Sequence, residues 1–274
     1  MLPGEETALS GTEYQVRLEI GDRLLAFALA MSGKGEVRMK GEEMGFVAVV
    51  LGLYAKAVKT FRAIHLLCAH GLCEDAQALL RTLSEILAHI KYLAKEDRDG
   101  RARQYVDFIL IQQQKVINAT EQNPGLRGIF SDTDKAVVRK WIDGARARMS
   151  EQEFNRRYEA AAWHGRRIEE VMREVNMQTA YDLTFRLGSR AVHATDLFDH
   201  MLLDPERGFT LNLLPGDKWA KPVLTASILF FLEILEKVNA IGRFVAQEEH
   251  QEIKEDVVAK LKETSGSGQS EPSG

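Results

Sequence analysis

Between Tyr181 and Leu203 the chain reads YDLTFRLGSRAVHATDLFDHMLL. Wound as one helix, this run puts Arg186, Ser189, His193, Asp196 and His200 in a narrow polar stripe. Beside it lies a wide apolar face of Leu183, Leu187, Ala191, Ala194, Phe198 and Met201. Surface helices usually carry Glu and Lys in such a stripe, whereas this one carries two imidazoles, a carboxylate, a hydroxyl and a guanidinium. An imidazole takes or gives a proton near neutral pH, and a guanidinium holds a phosphate in two-pronged geometry. Arg186 and His193, two turns apart on one face, therefore suit phosphodiester cleavage without metal, with a ribose 2′-hydroxyl as internal nucleophile. The competing reading is a hydrogen-bonded network that fixes how helices pack, since buried polar groups need partners and polar clusters mark sites only statistically.

A metal fits this stripe poorly. His193 and His200 are two full turns apart, so only His193–Asp196 or Asp196–His200 can chelate as a pair, and no Glu-x-x-His pair points to a di-iron bundle. Cys68 and Cys73 form an isolated C-x4-C with His65 and His70 nearby, which reads as buried free thiols in a reducing compartment rather than a zinc site. Neither a metal nor a cofactor is expected. The phosphate-cradling loops G-x-G-x-x-G and G-x4-G-K-[ST], the G-x-S-x-G elbow and H-E-x-x-H do not occur in the sequence.

A second polar group sits upstream. In RTLSEILAH, Arg81, Ser84, Glu85 and His89 lie opposite the main apolar stripe of their helix. Arg81 and Glu85 read either as a surface ion pair or as supports for the polar stripe, with Glu85 orienting an Arg or His. Trp163-His164-Gly165 stands at a helix break, where Trp is more often a packing anchor than a stacking platform.

The elements that must position these groups are helical almost throughout. Periodicity predicts helices over about 13–31, 42–69, 74–95, 101–121, 131–148, 151–162, 166–175, 179–203 and 219–246. Ser10 and Glu13 form a capping box, Ser131-Asp132 caps a shorter helix, and 209–214 (FTLNLL) is a short extended piece in a loop. No alternating pattern of useful length supports a sheet domain. The tail SGSGQSEPSG is low in complexity and expected to be disordered.

With 274 residues, 45% hydrophobic content and a net charge of -4, the chain has enough for a sizeable core and no global basic field. Arg166–Arg167 and the Arg139–Arg148 stretch are local basic runs that read first as solvated arginines. The longest apolar run, Val223–Leu232, is about half of what spans a bilayer. The polar, acidic N-terminus shows no secretory signal, and a cytoplasmic location is expected.

The run Ala76–Tyr92 (AQALLRTLSEILAHIKY) resembles a segment of a large family of bacterial helical domains of unknown function, in which a Trp-Gly segment and a Tyr/Ser/His helix follow. Arg81, Glu85, Trp163, Gly165, Tyr181, Ser189 and His193 carry that resemblance, which covers about 52–246 and implies an all-helical fold. The Arg186-x6-His193 spacing is also similar to the signature of the HEPN superfamily of helical ribonucleases and toxin or defence proteins. Arg157-x6-His164 and Arg243-x6-His250 share it, and Leu187 stands where that superfamily often has a polar residue. The HEPN resemblance implies a metal-independent endoribonuclease and a homodimer with its site between protomers. Arg186 would bind the scissile phosphate and His193 would be the acid/base. Ser189 and Asp196 would orient it, supported by Arg81, Glu85, His200 and Tyr181.

The expectation is thus an all-α multi-helix bundle, HEPN-like, with an N-terminal helical extension (1–40), a main bundle (41–247) and a helical end with a Gly/Ser-rich tail (248–274). RNA, a second copy and a cognate antitoxin or defence protein are the expected partners, and no membrane. The alternative is a non-catalytic interaction or ligand-binding module whose stripe is structural.

Overall fold

A computed structural model describes residues 12–34, 44–126, 128–160, 162–193, 201–204, 208–211 and 215–266. The fold is all-α. Among the described residues there are ten helices: α1 (Thr12–Lys34), α2 (Met44–Ala69), α3 (Cys73–Leu93), α4 (Arg98–Gln122), α5 (Asp132–Arg146), α6 (Glu151–Glu159), α7 (Ile168–Glu174), α8 (Gln178–Val192), α9 (Ala220–Gly242) and α10 (Gln247–Gly266). Local chemistry sets several of the starts. Ser131 Oγ accepts from the Asp134 N–H at 3.1 Å and Ser150 Oγ from the Glu153 N–H at 3.2 Å, each filling an orphan donor of a first turn. Ser10 of the expected capping box lies outside the described residues, as do residues 267–274 of the tail.

The chain divides into two compact units. One contains α1, α2 from Val50 on, α3 as far as Lys91, and everything from Val175 onward. Its core gathers Leu24, Phe61, Leu80, Leu87, Phe231 and Leu235, all buried, with the Phe61 and Phe231 rings stacked 4.2 Å apart. Helix α1 packs on α9 and α10. Buried Arg17 on α1 donates to Thr225 Oγ1 at 2.9 Å and to the Glu13 carbonyl at 2.7 Å. Gly71 ends α2 in the left-handed region (φ 74), where a side chain would also strike Pro215. Its carbonyl accepts from the Gly216 N–H, tying the approach of α9 to the α2–α3 turn.

The other unit holds the first turns of α2 and the stretch from Tyr92 to Glu174. Leu110, Ile111, Ile142, Ala145 and Phe154 form its core. Trp163 is buried with its ring edge-on to Tyr92 and Tyr105, so here the indole is a packing anchor. Buried Asp107 is held by Arg148 at 2.7 Å and Arg157 at 3.7 Å.

The structure corrects the sequence reading most clearly at the end and the face of α8; in addition α9 stops at Gly242 rather than near 246, and α10 takes in Ser265 and Gly266 of the tail expected to be disordered. The helix predicted over 179–203 ends at Val192. Met201–Asp204 is strand β1, paired antiparallel with β2 (Gly208–Leu211) in a register that sets Met201 opposite Leu211. A short apolar run such as Met201-Leu202-Leu203 fits either period. Pro205 also disfavours helical backbone at Asp204. The second correction concerns which face of α8 is buried. Leu183, assigned to the core-facing side, is 41% exposed, while Thr184, Phe185 and Gly188 are buried.

Candidate functional site

Helix α8 docks on α3 through its smallest residue. A Cβ added at Gly188 would lie 2.9 Å from the Gln77 carbonyl oxygen and 3.0 Å from Arg81 Cβ, so only glycine allows this approach. One turn earlier the hydroxyls of Ser84 and Thr184 meet at 3.0 Å, both fully buried. Thr184 also donates back to the Ala180 carbonyl at 2.8 Å.

The close approach brings four of the sequence-predicted residues into one network. Arg81 Nη1 donates to Ser189 Oγ at 3.1 Å and Nε to Glu85 Oε1 at 3.2 Å. The same guanidinium lies over the Phe185 ring, 4.3 Å from its centroid, and Phe185 stacks on Tyr181 at 4.6 Å. Arg81, Glu85, Ser189 and Tyr181 thus form a half-buried clamp between α3 and α8. Phe185 and Gly188 complete it, and sequence reasoning missed both. Their spacing from Tyr181 (i+4 and i+7) is the signal that marks a docking face.

Arg186 and His193 face elsewhere. The Arg186 side chain is 81% exposed, with the Asp182 carboxylate 3.7 Å from its Nε. His193 is exposed and caps α8, its backbone N–H donating to the Ser189 carbonyl at 3.0 Å. The seven-residue spacing separates the two by about 10 Å along the helix axis. Asp196 and His200 lie outside the described residues.

In the second unit, His164 of the Trp-His-Gly break is partly buried, and its Nδ1 accepts from the Arg166 N–H at 3.3 Å. Burial first, then the Arg166 cation, hold its imidazole below the usual range, so it is neutral at ordinary pH. Cys68 and Cys73 are buried free thiols. Their mutual contact and burial push the Cys68 thiol far up and keep it protonated. Among the described residues, no cluster of three or more His, Cys, Asp or Glu side chains can hold a metal ion. None of the described helices is long and apolar enough to cross a membrane.

The order Arg81, Glu85, Trp163, Gly165, Tyr181, Ser189, His193 falls inside the region matched by a family model, residues 47–209, which is more than half of the chain. The chain belongs to the family of unknown function DUF5677. The DUF5677 region opens in α2 and closes in β2, so it contains the whole α3–α8 clamp but neither α1 nor α9. It begins slightly before the expected start and stops well short of the expected end near residue 246. No curated protein and no solved structure matches this member of the family.

Proposed function

We propose that this DUF5677 chain is a metal-independent endoribonuclease of the HEPN kind, working as a homodimer in a toxin or phage-defence role. The observation that carries this reading is the division of labour on α8. One face is clamped by Arg81, while Arg186 and His193 stand exposed on the remaining surface. A residue kept only for packing has no need of that exposure.

Arg186 binds the scissile phosphate through paired N–H donors. His193 removes the proton of the ribose 2′-hydroxyl as its oxygen attacks phosphorus. The bond to the 5′-oxygen then breaks and that oxygen takes up a proton, leaving a 2′,3′-cyclic phosphate and a 5′-hydroxyl. A single imidazole does not serve as base and acid in the same step, so the second copy's equivalent of His193 supplies the proton to the leaving group. Ser189, whose oxygen accepts from Arg81, positions the helix.

The second reading, a non-catalytic interaction module, draws support from the same clamp, because Ser189 and Arg81 are already engaged with each other. Total RNA incubated with the purified chain, with and without EDTA and beside a His193→Ala variant, separates the two. Cleavage that survives EDTA and vanishes in the variant supports the nuclease. Intact RNA throughout favours the module, and cleavage lost with EDTA rejects the metal-free mechanism.

A further inference from the structure

Arg190 stands exposed on α8, one turn beyond Arg186. At 100° per residue the two lie about 40° apart around the helix, and His193 falls about 20° from Arg186 on its other side. Arg186, Arg190 and His193 therefore share one exposed face. Thr184 and Gly188, which meet α3, fall on the opposite face.

Charge and spacing decide what this exposed face fits. The chain as a whole carries a net charge of -4, so no global field draws a polyanion to it. Helix α8 itself has two Arg against one Asp. That carboxylate, Asp182, comes only within 3.7 Å of Arg186 Nε, a weak surface pair that leaves the guanidinium 81% exposed. Each guanidinium is a planar fork matched to phosphate oxygens. Four residues of helix set the two arginines about 6 Å apart along the axis, the order of the distance between neighbouring phosphates of one strand.

Resting on the nuclease reading, we propose that Arg190 is a further substrate-binding residue: it holds the phosphate next to the one at Arg186, so that α8 engages two consecutive phosphates of the RNA strand. Contacts of this kind fix the register of the strand without reading its bases. A cation in the last turn also complements the helix dipole, so a melting curve alone does not identify the role of Arg190.

The test measures binding rather than cleavage. A fluorescent single-stranded 2′-O-methyl oligoribonucleotide keeps every phosphate but lacks the free 2′-hydroxyl, so it is bound without being cut. Its anisotropy is titrated with the full chain at several salt concentrations, and circular dichroism confirms that each variant is folded. Arg186→Gln and Arg190→Gln should each lower the log–log salt slope by about 0.7, the share of one phosphate on a single strand. The double variant should lower it by about 1.4. Arg190→Lys keeps the charge and should keep the slope, as should Arg167→Gln on α7. The proposal is overturned if the natural chain does not bind the oligonucleotide or if Arg190→Gln leaves the slope unchanged. It is equally overturned if Arg190→Lys loses the slope, if Arg167→Gln lowers it as much, or if the double variant falls no further than the single ones, which would place both arginines on one phosphate. Cleavage of unmodified RNA is followed in parallel. If the natural chain leaves that RNA intact while the slopes fall as described, the nuclease reading fails and the phosphate contacts stand.

Discussion

Arg81 and Ser189, 108 residues apart in the chain, are joined by a 3.1 Å hydrogen bond that locks α8 against α3. The bond explains why a helix with so polar a surface has a fixed orientation. It also explains why part of that surface, with Arg186 and His193, is turned outward.

Removing either partner should loosen the clamp. Ser189→Ala is expected to cost about 1 kcal/mol and Arg81→Ala about 2 kcal/mol, because Arg81 also leaves Glu85 and the Phe185 ring. The double variant should cost less than the sum, with a coupling of about 1 kcal/mol, since the two residues share one bond. Urea denaturation of the four proteins measures this, and strict additivity would show that the bond contributes nothing.

Gly188→Ala should destabilise the chain by about 1–3 kcal/mol, because the new methyl must push away the Gln77 carbonyl or the Arg81 stem. Gly52→Ala on α2 is the control. Among the described residues, nothing beyond its own helix backbone lies within 4 Å of its added Cβ, so the helix propensity of alanine should stabilise by about 0.5–1 kcal/mol. Opposite signs in thermal melts support the close approach of α8. Equal signs contradict it.

Most helices were legible in the sequence because their apolar spacing and caps, such as Ser131, agree with the final structure. The clamp was half legible. Arg81, Ser84 and Glu85 stood out as a polar group on a helix otherwise built for a core, but nothing local says which distant helix they meet. The buried face of α8 was misread because Leu183 outweighs Gly188 on any hydrophobic scale, whereas docking there depends on size. The strand at Met201 was missed because a four-residue run has no period of its own and takes its structure from its partner, β2.

Stability should fall on mild acidification. His250 is buried on α10 against Phe27, and its Nε2 has no hydrogen-bond partner among the described residues. Burial foremost, helped by the Lys254 ammonium and opposed by Glu236, holds its imidazole below the usual range. The unfolded chain takes up this proton near the ordinary histidine pKa of about 6.5, whereas the folded chain does so only at lower pH. In that interval the unfolded state binds more protons, so stability declines as pH falls and levels off below the folded value. His164 adds a component of the same sign. Melting temperatures between about pH 7 and pH 5 should drop for the natural chain and drop less for His250→Phe. An unchanged slope in the variant would exclude His250 as a cause.

Arg186→Ala and His193→Ala should each leave stability within about 0.5 kcal/mol, as expected for exposed side chains whose contacts are a solvated pair and a helix end. Under the nuclease reading both lose RNA cleavage. Under the module reading neither has a cleavage activity to lose. Melting curves and cleavage assays on the same preparations separate folding from chemistry.

The most direct measurement compares a mixed-sequence oligoribonucleotide with its all-deoxy counterpart, each incubated with the chain in excess EDTA, followed by analysis of the product ends. The account predicts that only the ribose form is cut, yielding 2′,3′-cyclic phosphate and 5′-hydroxyl ends, and that His193→Ala abolishes the products. Cleavage of the deoxy strand, 5′-phosphate ends or undiminished activity in the variant would contradict it.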